Sequence, residues 1–304
     1  MGSELNEKIG LILEGGGMRG AYTGGVLEAF MEKNIKFPYV IGVSAGANNG
    51  ANFVAEQKKR SKEIFTKYSV HKNFAGFKHW LKRDSYFNMD FLYDDLPNNL
   101  LPFDYDTFKD QDTIFKVCAT NATSGQAEYF KKSDYSNEDF MTKVLKASSS
   151  LPVISKPVSI NGELYFDGGV TDSIPLEKSL EDGNIYNVIV LTRNSDYRKK
   201  EQLLGVYSRN YLKEYPKTLD ALEKRHVRYN ITLEKIKKLE EEGFVFVFRP
   251  IEEVKVGRLE KDPERLEELY NQGYYETMDQ MEKFERWIQE IRNRSMNLNT
   301  VLKN

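Results

Sequence analysis

The sequence predicts an α/β fold with a mainly parallel central sheet, followed by a charged, mostly helical C-terminal extension. Two observations carry this expectation. Short apolar runs alternate with helical spacing through residues 8–192. Beyond Arg193 the chain keeps helical spacing but becomes dense in Glu, Lys and Arg. Its 304 residues suffice for one large α/β domain, or for a core with a smaller appended part.

The elements follow in order. Lys8–Glu14 (KIGLILE) is a short apolar run rich in Ile and Leu, the pattern of a buried strand. Gly15–Gly17 ends it. Gly20–Glu32 then reads as a helix with Tyr22, Val26, Leu27, Phe30 and Met31 on its inner side. Pro38 opens a second buried strand, Tyr39–Val43 (YVIGV), and the spacing predicts a helix from Ala47 to about Tyr68. Strand, loop, helix, strand, turn, helix is the rhythm of a parallel sheet.

The next stretch differs in character. Phe74, Phe77, Trp80, Tyr86, Phe87, Phe91, Tyr93, Phe103, Tyr105 and Phe108 give about twice the chain's average aromatic density, marking a cap or insert at about residues 70–110. Thr113–Thr120 and Gln126–Phe130 predict a hairpin around Ser124-Gly125. Glu138–Ala147 reads as a short helix and Ser148–Pro157 as a proline-marked loop. Glu163–Phe166 is a short strand ending at Asp167-Gly168-Gly169, and Ile185–Thr192 is a strong core strand.

The C-terminal region, residues 193–304, carries helical patterns at Tyr215–Glu241 and Asp262–Arg294, with one strand at about 244–249 (FVFVFR) between them. In the last helix Leu266, Leu269, Tyr270, Tyr274, Met278, Met281, Phe284, Trp287 and Ile291 form an apolar stripe that reads as packing on the core.

Composition narrows the function classes. Lys and Arg total 44 and Asp and Glu 46, so the basic footprint of a nucleic-acid binder is missing. A local patch touching a membrane surface remains compatible with that balance. Cys118, the sole cysteine, allows no internal disulfide and reads as a packed thiol in a strand. No apolar stretch nears the ~18 residues a spanning helix needs. Met1–Lys8 is polar, unlike a signal peptide, and Asn6 stands where an N-myristoylation signal at Gly2 wants Ser or Thr. The expected location is the cytoplasm, with peripheral membrane contact.

Three segments carry chemistry. Gly42-Val43-Ser44-Ala45-Gly46 is a G-x-S-x-G between a buried strand and a helix. Its glycines suit a sharp turn that lifts the Ser44 hydroxyl to a helix N-terminus, where developing negative charge is favoured. Glu14-Gly15-Gly16-Gly17-Met18-Arg19-Gly20 places consecutive glycines after the first strand, so that backbone amides point into one cavity as oxyanion donors, with the Arg19 charge nearby. Asp167-Gly168-Gly169 puts a carboxylate at a strand end. Gly15, Gly17 and Gly20 also fit a dinucleotide fingerprint, but the second strand ends in Ile41-Gly42-Val43-Ser44 rather than in the acid that binds a ribose. A catalytic serine usually has a histidine base. His71, His79 and His226 adjoin none of the motifs, and His226 sits in Lys224–Arg228 (KRHVR), which reads as a solvated helical face. A carboxylate in a desolvated cleft can take the proton instead.

In this order the blocks Gly15–Gly20, Gly42–Gly46 and Asp167–Gly169 resemble the signature blocks of the patatin-like phospholipase family. The spacing agrees as well, with 24 residues from Gly20 to Ser44 and 123 from Ser44 to Asp167. Asp172-Ser173-x-Pro175 adds to the resemblance, which spans about residues 8–192. It implies a three-layer fold, lipid acyl hydrolase activity on an acyl-lipid or phospholipid substrate, and no metal or organic cofactor. It assigns Ser44 as nucleophile and Asp167 as base. It also assigns Gly15, Gly16, Gly17, Met18 and Arg19 to the oxyanion loop. A Ser–Asp–His esterase of the α/β-hydrolase type and a non-catalytic lipid- or protein-binding scaffold are the alternatives.

Overall fold

A computed structural model describes residues 9–76, 79 and 85–301, with side chains through Arg294. Gly2, Asn6, Phe77 and Trp80, named above, lie outside the described residues.

Eight strands form one mixed sheet. They are β1 (Ile9–Leu13), β2 (Tyr39–Val43), β3 (Ile114–Asn121), β4 (Ala127–Lys131), β5 (Val158–Ile160), β6 (Glu163–Asp167), β7 (Tyr186–Val190) and β8 (Val245–Phe248). The run β3-β2-β1-β7-β8 is parallel throughout, while β4 and β6 run antiparallel to β3 and β5 antiparallel to β6. Every residue of β1, β2, β7 and β8 is buried, as expected of strands covered on both faces.

Strand alternation feeds two cores. Leu11, Leu13, Val40 and Val188 pack with Phe30, Phe248 and Phe284 on one face. Ile12, Ile41 and Ile189 pack with Leu176, Tyr229 and Ile236 on the other. Helix α1 (Gly20–Glu32) and the Pro263–Val301 helix cover the first face, and the Arg225–Glu241 helix contributes to the second, so the fold has three layers. The C-terminal apolar stripe packs on the core. Leu266, Leu269, Tyr270, Met281, Phe284, Trp287 and Ile291 are buried, and Tyr274 and Met278 are half-buried. Helices α1 and Pro263–Val301 cross so closely that a Cβ on Gly25 would collide with the Tyr270 carbonyl. Among the described residues no helix is long and apolar enough to cross a membrane.

Two sequence expectations fail locally. The helix expected to reach Tyr68 starts at Ala45 and stops at Val54; a short turn, Arg60–Glu63, then leads into Ile64–Tyr68. Glu56 and Lys59 adopt positive φ there. The break is held from outside, because buried Arg60 donates to Asn52 Oδ1 (3.1 Å) and to the Pro102 carbonyl (2.9 Å). The helix expected over Tyr215–Glu241 is two helices, Pro216–Glu223 and Arg225–Glu241, parted at Lys224.

Strand register sets the site. Strand β4 pairs with Lys116–Thr120 of β3, overlapping the partners of both β2 and β6, so those two strands share the opposite edge. The last β2 pair is Val43 with Cys118, and the last β6 pair is Asp167 with Ala119. Running in opposite directions, β2 and β6 therefore end against each other at consecutive β3 residues.

Candidate active site

Ser44 is the residue immediately after β2, and its backbone is strained. With φ 52° and ψ −123° it holds a positive φ that side-chain-bearing residues rarely adopt. The sharp turn requires bare neighbours. A Cβ on Gly42 would come within 2.7 Å of the Ala47 backbone, and one on Gly46 would reach 2.6 Å from the Glu14 carbonyl oxygen. Helix α2 (Ala45–Val54) starts at this point, so its N-terminus faces the serine. The Ser44 amide donates to Ser148 Oγ (2.9 Å), whose own hydroxyl donates to the Cys118 carbonyl (2.6 Å). Asn48 Nδ2 donates to the Ser44 carbonyl (3.0 Å).

The register brings Asp167 alongside Ser44, and the Ser44 side chain is among the groups that act on its carboxyl. The carboxylate is buried, at 2 % exposure, and accepts from the Gly169 amide (2.7 Å). Its own backbone is fixed as well, since its amide donates to the Ser150 carbonyl (2.8 Å) and its carbonyl accepts from Thr120 Oγ1 (2.9 Å). Burial pushes the carboxyl above its ordinary range; the Ser44 side chain, the Arg225 charge, the Gly169 amide and the Arg258 charge oppose that rise. An ionised carboxylate so placed is a stronger base than one in water.

The glycine loop borders the same cavity, and its hydrogen bonds narrow the donor set. The Gly15 amide is spent on the Ser173 carbonyl (3.2 Å) and the Met18 amide on the Arg258 carbonyl (3.1 Å). Both are therefore occupied in this conformation, contrary to the sequence expectation. Among the described residues the Gly16 and Gly17 amides have no backbone acceptor. Gly17 holds φ 59°, and a Cβ there would press on the Arg258 carbonyl. Arg19 is buried with Glu14 and Arg193 as charged neighbours and does not line the Ser44 cavity.

That cavity has a volume of about 140 Å³ and is mostly apolar. Phe65, Phe74, Phe87, Met89, Leu92 and Leu96 form its apolar walls, and Ser44 lines it as well. The aromatic-rich stretch belongs to the core, where Phe74, Phe87 and Tyr93 also line the cavity and Phe103 and Phe108 do not.

No histidine enters this arrangement. His71 stacks on Phe91 with centroids 4.9 Å apart, His79 Nε2 lies 3.1 Å from the Lys72 carbonyl, and His226 Nδ1 lies 3.0 Å from the Glu223 carbonyl. The Lys224–Arg228 segment is not a purely solvated face, because Arg225 is buried and its guanidinium lies within 3.2 Å of Ser173 Oγ.

Sequence reading missed the residues that brace the site from a distance. Glu14 is buried and accepts from the Thr192 amide (2.6 Å) and from the Tyr229 hydroxyl (2.7 Å), which ties the start of the glycine loop to the C-terminal region. A lone Glu ending an apolar strand was the available signal. Ser148 carried none, being one of three consecutive serines.

Comparison with known proteins agrees with this architecture. The family model described as patatin-like phospholipase matches residues 11–179, and a domain of unknown function (DUF6363) matches residues 215–289. The chain is 28% identical to the uncharacterized protein YjjU of Escherichia coli K12 over 65% of this chain and 57% of that protein. It is 25% identical to lysophospholipase nte1 of Aspergillus niger over 91% of this chain and 18% of that protein. The chain thus spans less than two thirds of these relatives. The crystal structure of VipD from Legionella pneumophila aligns with a TM-score of 0.50 at 16% identity, covering 90% of this chain and 66% of that one, a likeness of fold. With the family model covering more than half of its length, the chain belongs to the patatin-like phospholipase family.

Proposed function

We propose that the protein is a serine lipid acyl hydrolase that cleaves carboxylic esters through a Ser44–Asp167 dyad and an acyl-enzyme. The observation that carries this reading is the β3 register, which sets Ser44, on a strained turn lining an apolar cavity, beside the buried Asp167 carboxylate. Family membership and the lysophospholipase relatives support a lipid ester as the substrate.

The steps balance with this chain's own groups. Asp167 takes the Ser44 proton as Oγ bonds to the ester carbonyl carbon. The tetrahedral oxyanion is held by the Gly16 and Gly17 amides, each worth about 2.7–4 kcal/mol in comparable acyl-transfer sites. Collapse breaks the bond to the alcohol, which leaves with the proton from Asp167. Water, deprotonated by the same carboxylate, then attacks the acyl-enzyme, and the fatty acid departs as the proton returns to Ser44. The acyl chain occupies the cavity walled by Phe65, Phe74, Phe87, Met89, Leu92 and Leu96.

A fluorophosphonate probe together with p-nitrophenyl acyl esters tests this. Wild-type protein should be labelled at Ser44 and should release p-nitrophenol, and Ser44→Ala should do neither while keeping its circular dichroism spectrum. Hydrolysis at the wild-type rate by Ser44→Ala ends the proposal.

A further inference from the structure

A second cavity, about 740 Å³ and open to solvent, lies beside the Ser44 cavity. Arg258 lines both. The cleft is built largely from residues beyond Arg193: Lys199, Lys200, Arg225 and Arg258 with Arg198, against Asp196 and Glu253. Cations therefore outnumber carboxylates five to two in its lining. Arg198 is engaged by Glu234 at 2.8 Å. Among the described residues Lys199, Arg225 and Arg258 have no carboxylate within ion-pair distance.

Their surroundings make this unusual. Arg225 is 9 % exposed and, of its five N–H donors, reaches only Ser173 Oγ, at 3.2–3.4 Å. Lys199 Nζ sits 4.0 Å from the centre of the Tyr229 ring and, burial aside, is pressed mainly by the Arg225 and Arg258 charges. Burial, reinforced by those two charges, pushes Lys199 down to about 6; burial and then Arg258 push Arg225 down to about 10. Of the three only Arg225 is buried, and a buried guanidinium normally stands beside an anion. Here the carboxylates whose charges act on Arg225 are committed elsewhere. Asp167 accepts from the Gly169 amide, and Glu14 from Thr192 and Tyr229. The guanidiniums of Arg225 and Arg258, with no carboxylate within ion-pair distance among the described residues, call for an external anion, and their forks suit phosphate oxygens.

We propose that the cleft formed by Lys199, Arg225 and Arg258 binds the phosphate of a substrate headgroup, and so selects phosphorylated acyl esters over neutral ones. The ester placement rests on the function proposed above. With an acyl chain in the apolar cavity and its ester at Ser44, the remainder of the molecule meets Arg258, which joins the two cavities. The C-terminal region then supplies specificity to a reaction carried out by the core.

The test measures binding by calorimetry on the full chain carrying Ser44→Ala, so that no ligand is consumed. The probes are 1-lauroylglycerol, 1-lauroylglycerol 3-phosphate and inorganic phosphate, all below micellar concentrations. The phosphorylated lipid should bind at least about tenfold more tightly than the neutral one. That ratio should fall toward one when Lys199→Gln or Arg258→Gln is added. Inorganic phosphate should compete with the phosphorylated lipid and bind more weakly than it does. Equal affinity for the two lipids, or a ratio that survives both cation variants, overturns the proposal. Inorganic phosphate binding without preference for the phosphorylated lipid also overturns it and assigns the cleft to the free ion. Because Ser44 is absent from the assay, a wild-type protein inactive on every ester would sink the proposed function and leave this measurement standing.

Discussion

Asp167→Asn separates the catalytic role of the carboxylate from its structural cost. Asparagine keeps the shape and can still accept from the Gly169 amide, which lies 2.7 Å from Oδ1. It cannot take the Ser44 proton. A positioned general base contributes about 10²–10⁴-fold, or about 2.7–5.4 kcal/mol of transition-state stabilisation. The variant should lose that much of kcat/KM on p-nitrophenyl butyrate and retain a residue of activity from the Gly16 and Gly17 amides. Stability should move the other way. Burial raises the folded-state carboxyl above its ordinary value of 3.8, so ionisation is harder in the folded protein than in the unfolded chain. Below pH 3.8 both states are protonated there and the carboxyl costs nothing. As pH rises through the folded-state value the penalty develops fully. Asp167→Asn removes it, so the variant's melting temperature should exceed wild type at pH 7 and the difference should close toward pH 4. The wild-type kcat/KM should correspondingly gain an acid limb lying above the ordinary carboxylate range. A variant within tenfold of wild-type activity would refute the base assignment. A melting-temperature difference independent of pH would refute the claim that burial governs this carboxyl.

Three further substitutions probe the frame. Ser148→Ala strands the Ser44 amide and the Cys118 carbonyl in the interior, so it should cost about 1–3 kcal/mol in urea unfolding and lower kcat more than it raises KM. Gly25→Ala forces a methyl group into the Tyr270 carbonyl across the helix crossing, and should destabilise by about 3 kcal/mol or leave the protein insoluble. Leu96→Trp fills part of the apolar cavity far more than it changes the dyad, so the kcat/KM ratio of p-nitrophenyl palmitate to butyrate should fall about tenfold.

The glycine-marked blocks were legible because close backbone approach leaves a compositional mark. Gly42 and Gly46 are glycine because Ala47 and Glu14 occupy the space a side chain would need, and such demands survive in the sequence as glycine. The buried strands were legible as unbroken apolar runs. Other features are written only in contacts between distant residues. The end of α2 rests on Arg60 reaching Asn52 and Pro102, with no glycine or proline to mark the break. The oxyanion donors narrowed because carbonyls from Ser173 and Arg258 took the Gly15 and Met18 amides. Strand β5 has three residues, too few for a period. The basic cleft was hidden most completely. Lys199, Arg225 and Arg258 sit in a charge-dense region where each reads as solvated, and only the fold gathers them.

The geometry also explains why a domain this large surrounds so small a reaction. Ser44 holds a backbone conformation costing about 1–3 kcal/mol, and Asp167 carries a carboxylate where burial opposes its charge. Neither would persist in a short peptide. Both are imposed by β3, whose residues Cys118 and Ala119 fix the ends of β2 and β6 side by side. That strand is in turn clamped between β2 and β4 and buried along Val117–Asn121. Ser148 ties Ser44 to β3 a second time, spanning from the Cys118 carbonyl to the Ser44 amide. Loosening the β3 core, for instance by Val117→Ala at a fully buried site, should therefore lower kcat through the relaxed Ser44–Asp167 contact before the protein unfolds. A Val117→Ala protein that melts earlier but keeps its full kcat at 20 °C below its midpoint would show that the elbow holds its own strain without the sheet.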